Sequence, residues 1–113
     1  MKSYTDLSQS KKLAEILPLE SADMYYTPPL IKGHIDYIPH LKRKLPIDWN
    51  IEQAIPCWSL AALLKVISNI YKYNLDYNGT LFILTVGDFE VSNKDVGDAC
   101  VAMIEKLHEL KML

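Results

Sequence analysis

Cys57 and Ser59 are the two side chains of this 113-residue chain that invite a nucleophilic reading, Ser59 with His34 or His40 as its base. A thiol or hydroxyl attacks at neutral pH only when a base or a lowered pKa activates it. No sequence motif marks such a pair. There is no Gly-x-Ser-x-Gly elbow and no glycine-rich phosphate loop, since the glycines are Gly33, Gly79, Gly87 and Gly97. Ser59 stands at the start of a helical run, where an N-cap serine is expected for structural reasons alone. Cys57 and Cys100 occupy apolar positions and read as reduced, buried thiols.

His34 and His40 are six apart in a proline- and glycine-containing stretch, which is not a zinc spacing, and His108 follows an apolar helix position and should face water. Asp88, Glu90, Asp95 and Asp98 cluster around the entry to the last helix without the alternating pattern of a calcium loop. They read as solvated charges that complement a helix N-terminus. No metal, cofactor or catalytic residue is therefore expected.

The remaining chemical signal is basic and aromatic. Lys42-Arg43-Lys44 shares an irregular stretch with Lys32, His34, Tyr37, His40 and Trp49. Cations interleaved with aromatics can hold phosphates and stack bases; the plainer reading is a charged loop anchored by its aromatics. Residues 1–47 hold seven Lys/Arg and five Asp/Glu, and residues 48–113 hold five and nine. A split of +2 against −4 places the positive surface in the first half, but it is too small to mark a dedicated nucleic-acid protein.

Half the residues are hydrophobic and 23% are charged, the balance of an ordinary globular chain. No apolar run nears the ~18 residues of a membrane span, and Met1 to Ser10 has no apolar signal core. A cytoplasmic protein with no membrane partner is expected.

The elements that must position these residues are well punctuated. A helix over 7–17, capped by Thr5 or Ser8, should stop at Pro18. Ser21 to Tyr26 reads as a short strand. Residues 27–50 hold Pro28, Pro29, Pro39 and Pro46, a density that allows only extended or edge pieces. A further edge strand is expected near 47–54. Ile55 to Ser59 should open a second helix, 58–70, whose near-continuous apolar girth suggests the centre of the core. Asn78-Gly79 predicts a two-residue type I′ turn in a hairpin over 71–86. That turn would set Tyr77 opposite Thr80, Leu75 opposite Phe82, Tyr73 opposite Leu84 and Tyr71 opposite Val86. Ser92 to Asp95 resembles a capping box for a last helix over 93–111, in which Val96, Cys100, Met103, Leu107 and Leu110 share a face.

Taken together, Ser21-Ala-Asp-Met-Tyr-Tyr26, Ile55-Pro-Cys-Trp-Ser-Leu-Ala-Ala-Leu-Leu64 and Asp98-Ala-Cys-Val-Ala-Met-Ile-Glu-Lys-Leu-His108 resemble a group of short proteins from prophages and mobile elements of gut anaerobes. The resemblance spans most of the chain except 27–50. It implies a bacterial or phage cytoplasmic setting and an accessory or host-interaction role, and it transfers no catalytic residues.

The expected architecture is one α+β domain: a small antiparallel sheet around the 71–86 hairpin, about three helices, and an irregular insert at 27–50. Its core should comprise Leu13, Ile16, Met24, Trp58, Leu60, Leu63, Leu64, Ile67, Tyr73, Leu75, Phe82, Leu84, Val96, Cys100, Met103 and Leu107. The expected function is non-catalytic interaction, with a protein or a second copy as partner. Tyr37, His40, Lys42, Arg43, Lys44 and Trp49 are its candidate contact residues. The alternative is weak nucleic-acid binding through the basic 32–44 stretch.

Overall fold

The structure, a computed structural model, describes residues 3–27, 38–41 and 55–113. Among these, helix α1 runs Leu7–Ala14, followed by a 3-10 turn at Leu19–Ser21 and by strands β1 (Met24–Thr27), β2 (Ile38–Leu41) and β3 (Ile55–Cys57). Helix α2 is Leu60–Ile70; β4 (Tyr73–Tyr77), β5 (Phe82–Val86) and β6 (Phe89–Asn93) come next, and α3 is Val96–Glu109. The fold is α+β, but with two antiparallel three-stranded sheets, ordered β2-β1-β3 and β4-β5-β6, in place of the single sheet expected.

Asp6, not Thr5 or Ser8, caps α1. Its carboxylate accepts from Gln9 N–H while the Gln9 side chain accepts from Asp6 N–H, a reciprocal pair that satisfies two otherwise orphaned donors. The helix ends at Ala14, short of the expected Leu17. Glu15 and Ile16 bond back to Lys12 and Leu13, tightening the last turn because Leu17 precedes Pro18 and resists the helical region.

In the first sheet, central β1 carries the buried Tyr25 and Tyr26. Its two edge neighbours hold Pro39 and Pro56, where a missing N–H is tolerated. Residues 21–23 do not extend β1: the chain turns there after Pro18. The strand expected at 47–54 lies outside the described residues. Ile55 to Cys57 forms β3 instead of opening α2, whose cap is Ser59 as expected.

The hairpin departs from its expected register. Tyr77 stands opposite Phe82, Leu75 opposite Leu84 and Tyr73 opposite Val86, a slip of two residues. The cause is the Asn78 side chain, whose Oδ1 accepts from both Thr80 N–H and Leu81 N–H. Asn78 thus closes the loop, while Gly79 alone at the tip takes a positive φ, +94°. A type I′ turn would need positive φ at Asn78 as well.

A second hairpin was not anticipated: Gly87, at φ +58°, turns the chain into β6, with Val86 opposite Phe89. Ser92 and Asn93 therefore belong to a strand, and the proposed Ser92 cap does not form. Asp95 caps α3 by accepting from Asp98 N–H.

The core is centred on α3 more than on α2. Val96, Ala99, Cys100, Val101, Met103, Ile104 and Leu107 are all buried, against Ala62, Leu63, Val66 and Ile67 from α2. α3 packs chiefly on α2, β5 and β6. Leu64 is only half-buried, and Tyr73, expected in the core, is 37% exposed.

Candidate functional site

The N-terminal run before α1 lies along the junction of β3 and α2. Thr5 N–H donates to the Trp58 carbonyl (2.9 Å), and Leu60 N–H donates to the Ser3 carbonyl (3.0 Å). This strand-like pairing brings Thr5 into the interior, 2% exposed, where its side chain organises a polar knot. Thr5 Oγ1 accepts from Trp58 N–H (3.1 Å) and lies 2.7 Å from Ser10 Oγ, while Tyr26 Oη donates to the Thr5 carbonyl (2.7 Å). Cys57 Sγ is 3.5 Å from both the hydroxyl and the carbonyl of Thr5.

The knot keeps its titratable groups neutral. Burial pushes the Cys57 thiol up, and the hydrogen bonds from Thr5 and Ser10 only partly offset it. Burial also raises the Tyr26 phenol well above its ordinary range, helped by the nearby Cys57, Tyr4 and Asp6. A thiol held protonated is a poor nucleophile, because the thiolate is the reactive form. On α3, burial pushes Cys100 up to about 12, with Asp95 adding to the effect. Both cysteines are free and buried.

Ser59 is likewise accounted for. The Asp23 carboxylate accepts from Ser59 N–H (2.9 Å) and from its hydroxyl, while Ser59 Oγ accepts from Ala62 N–H (3.2 Å). Asp23 thereby fixes the cap that starts α2. Trp58, fully buried, donates from Nε1 to Ser21 Oγ (2.9 Å). Of the acidic cluster, Asp95 caps α3 and Asp98 accepts from Gln9 Nε2 (2.8 Å), tying α1 to α3. Among the described residues no three or more His, Cys, Asp or Glu are grouped to hold a metal, and no helix is long and apolar enough to cross a membrane. A groove of about 300 Å³ between the Pro18–Ser21 turn and α2 is lined by Glu20, Lys65 and Asn69 among others.

Of the six contact residues expected from sequence, Tyr37, Lys42, Arg43, Lys44 and Trp49 lie outside the described residues. His40 lies in β2, its backbone opposite Tyr25.

The surface that sequence reasoning missed is on the second sheet. Tyr71, Tyr73 and Tyr77 are 55%, 37% and 55% exposed, and Tyr77 packs on Phe82 with ring centroids 4.7 Å apart. Tyr73, Leu75 and Tyr77 share a face with buried Leu84 and Val86, so their alternation reads as core-facing. Leu75 packs against the core, while Tyr73 and Tyr77 at the two ends of β4 stay open because α3 covers chiefly β5 and β6. No family model matches the chain, and no curated protein or solved structure matches it.

Proposed function

We propose that the chain is a non-catalytic interaction module, an accessory protein of phage or mobile-element origin. One contrast carries the reading. The nucleophilic side chains Cys57, Ser59, Thr5 and Ser10 are engaged in structural hydrogen bonds, whereas tyrosines, which interfaces favour, stand open along β4. The setting rests on the sequence resemblance alone. The 27–50 insert supplies a second contact surface through Tyr37, His40, Lys42, Arg43, Lys44 and Trp49, its cations steering an acidic partner.

Affinity capture from host cells followed by mass spectrometry tests this. Wild type is compared with Tyr73→Ser/Tyr77→Ser and with Lys42→Ser/Arg43→Ser/Lys44→Ser. The reading expects a saturable set of protein partners that at least one variant loses while remaining folded. If both folded variants keep every partner, the reading fails. Enrichment of nucleic acid instead, falling steeply with salt, would favour the basic-stretch alternative.

A further inference from the structure

We infer that β4 pairs edge to edge with the β4 of a second copy of this chain, antiparallel, with Leu75 opposite the partner's Leu75. This rests on the interaction reading and names the partner of its tyrosine-bearing edge.

The phase of the β4–β5 ladder shows which backbone groups are on offer. Asn78 N–H donates to the Leu81 carbonyl (3.1 Å), and pairing continues residue for residue from Tyr77–Phe82 to Tyr73–Val86. Hydrogen-bonded and non-hydrogen-bonded pairs alternate in an antiparallel ladder. Asn74 and Asp76 therefore direct their backbone groups at β5, and Tyr73, Leu75 and Tyr77 direct theirs outward. β4 ends the order β4-β5-β6, so among the described residues no strand takes up those outer groups.

Such an edge is a template for another strand, and proteins usually blunt it with proline, lysine or a bulge. The edges of the first sheet do carry proline, Pro39 and Pro56. β4 has neither proline nor lysine within Tyr73–Tyr77 and no bulge; its one charge, Asp76, accepts a hydrogen bond from Asn74 of the same strand.

The occupant follows from the sequence of the strand. Tyr-Asn-Leu-Asp-Tyr is nearly symmetric about Leu75. Antiparallel pairing about that residue sets Tyr73 against the partner's Tyr77 and Asn74 against the partner's Asp76. The outward backbone groups of Tyr73, Leu75 and Tyr77 then all find partners in both copies, because these become the hydrogen-bonded pairs. Asn74 already donates from Nδ2 to Asp76 Oδ2 within the chain (2.9 Å). An amide has two such hydrogens, so it can also meet the partner's carboxylate. Moving the axis to Asp76 would oppose two carboxylates, which is unfavourable; moving it to Asn74 would leave Tyr77 outside the strand-to-strand pairs. The result is a closed two-fold interface that uses the same patch twice.

Sedimentation equilibrium up to about 1 mM protein tests the pairing, a range that reaches weak complexes. Wild type should dimerise. Tyr73→Lys/Tyr77→Lys sets lysine against lysine and should weaken the dimer about tenfold or more, whereas Tyr73→Lys/Tyr77→Glu sets opposite charges together and should restore much of it. Both tyrosines are exposed in the folded chain. Register is read by mixing Asn74→Cys with Asp76→Cys under oxidation: the mixture should cross-link into a heterodimer faster than either variant alone, since that non-hydrogen-bonded pair lies within disulfide range. A wild type monomeric across the range, or cross-linking no faster in the mixture than in either variant alone, overturns the proposal. If the wild type stays monomeric while the β4 tyrosine variant loses captured proteins, self-pairing is wrong and the interaction reading stands.

Discussion

The hydroxyls of Thr5 and Ser10 lie 2.7 Å apart inside the protein, and the Thr5 oxygen also accepts from Trp58 N–H. That oxygen joins the N-terminal run, α1 and the β3–α2 junction. Thr5→Val keeps the shape but leaves a buried N–H and a buried hydroxyl without that partner. It should cost about 1–3 kcal/mol in urea denaturation, and Thr5→Ser should cost less. Equal stability of wild type and Thr5→Val would show that the knot is replaceable by packing.

Gly79 faces open space: a Cβ built there has no atom within 4 Å. The cost of Gly79→Val is then purely conformational, since a β-branched residue resists a φ of +94°. A loss of about 1–3 kcal/mol is expected. An unchanged melting temperature would mean that the tip adopts another turn.

Leu63 and Leu64 are neighbours on α2 with different surroundings, the first 1% exposed and the second half-buried. Leu63→Ala should cost about 2–5 kcal/mol, the usual range for emptying a closed core site. Leu64→Ala should cost clearly less. Denaturation midpoints in the reverse order would contradict the orientation of α2.

Alkaline pH should destabilise the protein before it alters the native state. The unfolded chain releases the Cys100 proton near the ordinary value of 9.0, while the folded chain holds it until about 12. Between those values the unfolded state binds fewer protons, so stability falls as pH rises. Cys57 and Tyr26, both raised by burial, act in the same direction. Urea midpoints should be level below the ordinary thiol pKa and drop above it, and the drop should shrink in Cys100→Ala. A midpoint unchanged on passing well above the ordinary thiol range would refute this linkage.

Much of the fold was legible because local chemistry and periodicity agreed. Ser59, the apolar run after it and the stripe from Val96 to Leu107 place α2 and α3 closely. The hairpin register was not legible for a physical reason. Side chains alternate with a period of two, so a slip of two residues keeps Leu75, Leu84 and Val86 on one face. Only the Asn78 side chain, bonding forward to Thr80 and Leu81, decides between the two registers. Gly87-Asp88 is itself a two-residue turn signal, and it could have revealed β6 had the acidic residues around it not been read as the entry to a helix. The open tyrosines were hidden more deeply. A strand face reads the same whether or not a helix covers it, and the position of α3 is a tertiary fact.

The claim that the β4 edge pairs with the β4 edge of a second copy is tested most directly by amide hydrogen exchange, residue by residue, at low and high protein concentration. Asn74 and Asp76 N–H, bonded to β5, should exchange slowly at both. Tyr73, Leu75 and Tyr77 N–H should exchange fast when dilute and become protected when concentrated. Protection of those three that does not change with concentration, or fast exchange throughout, would contradict the account.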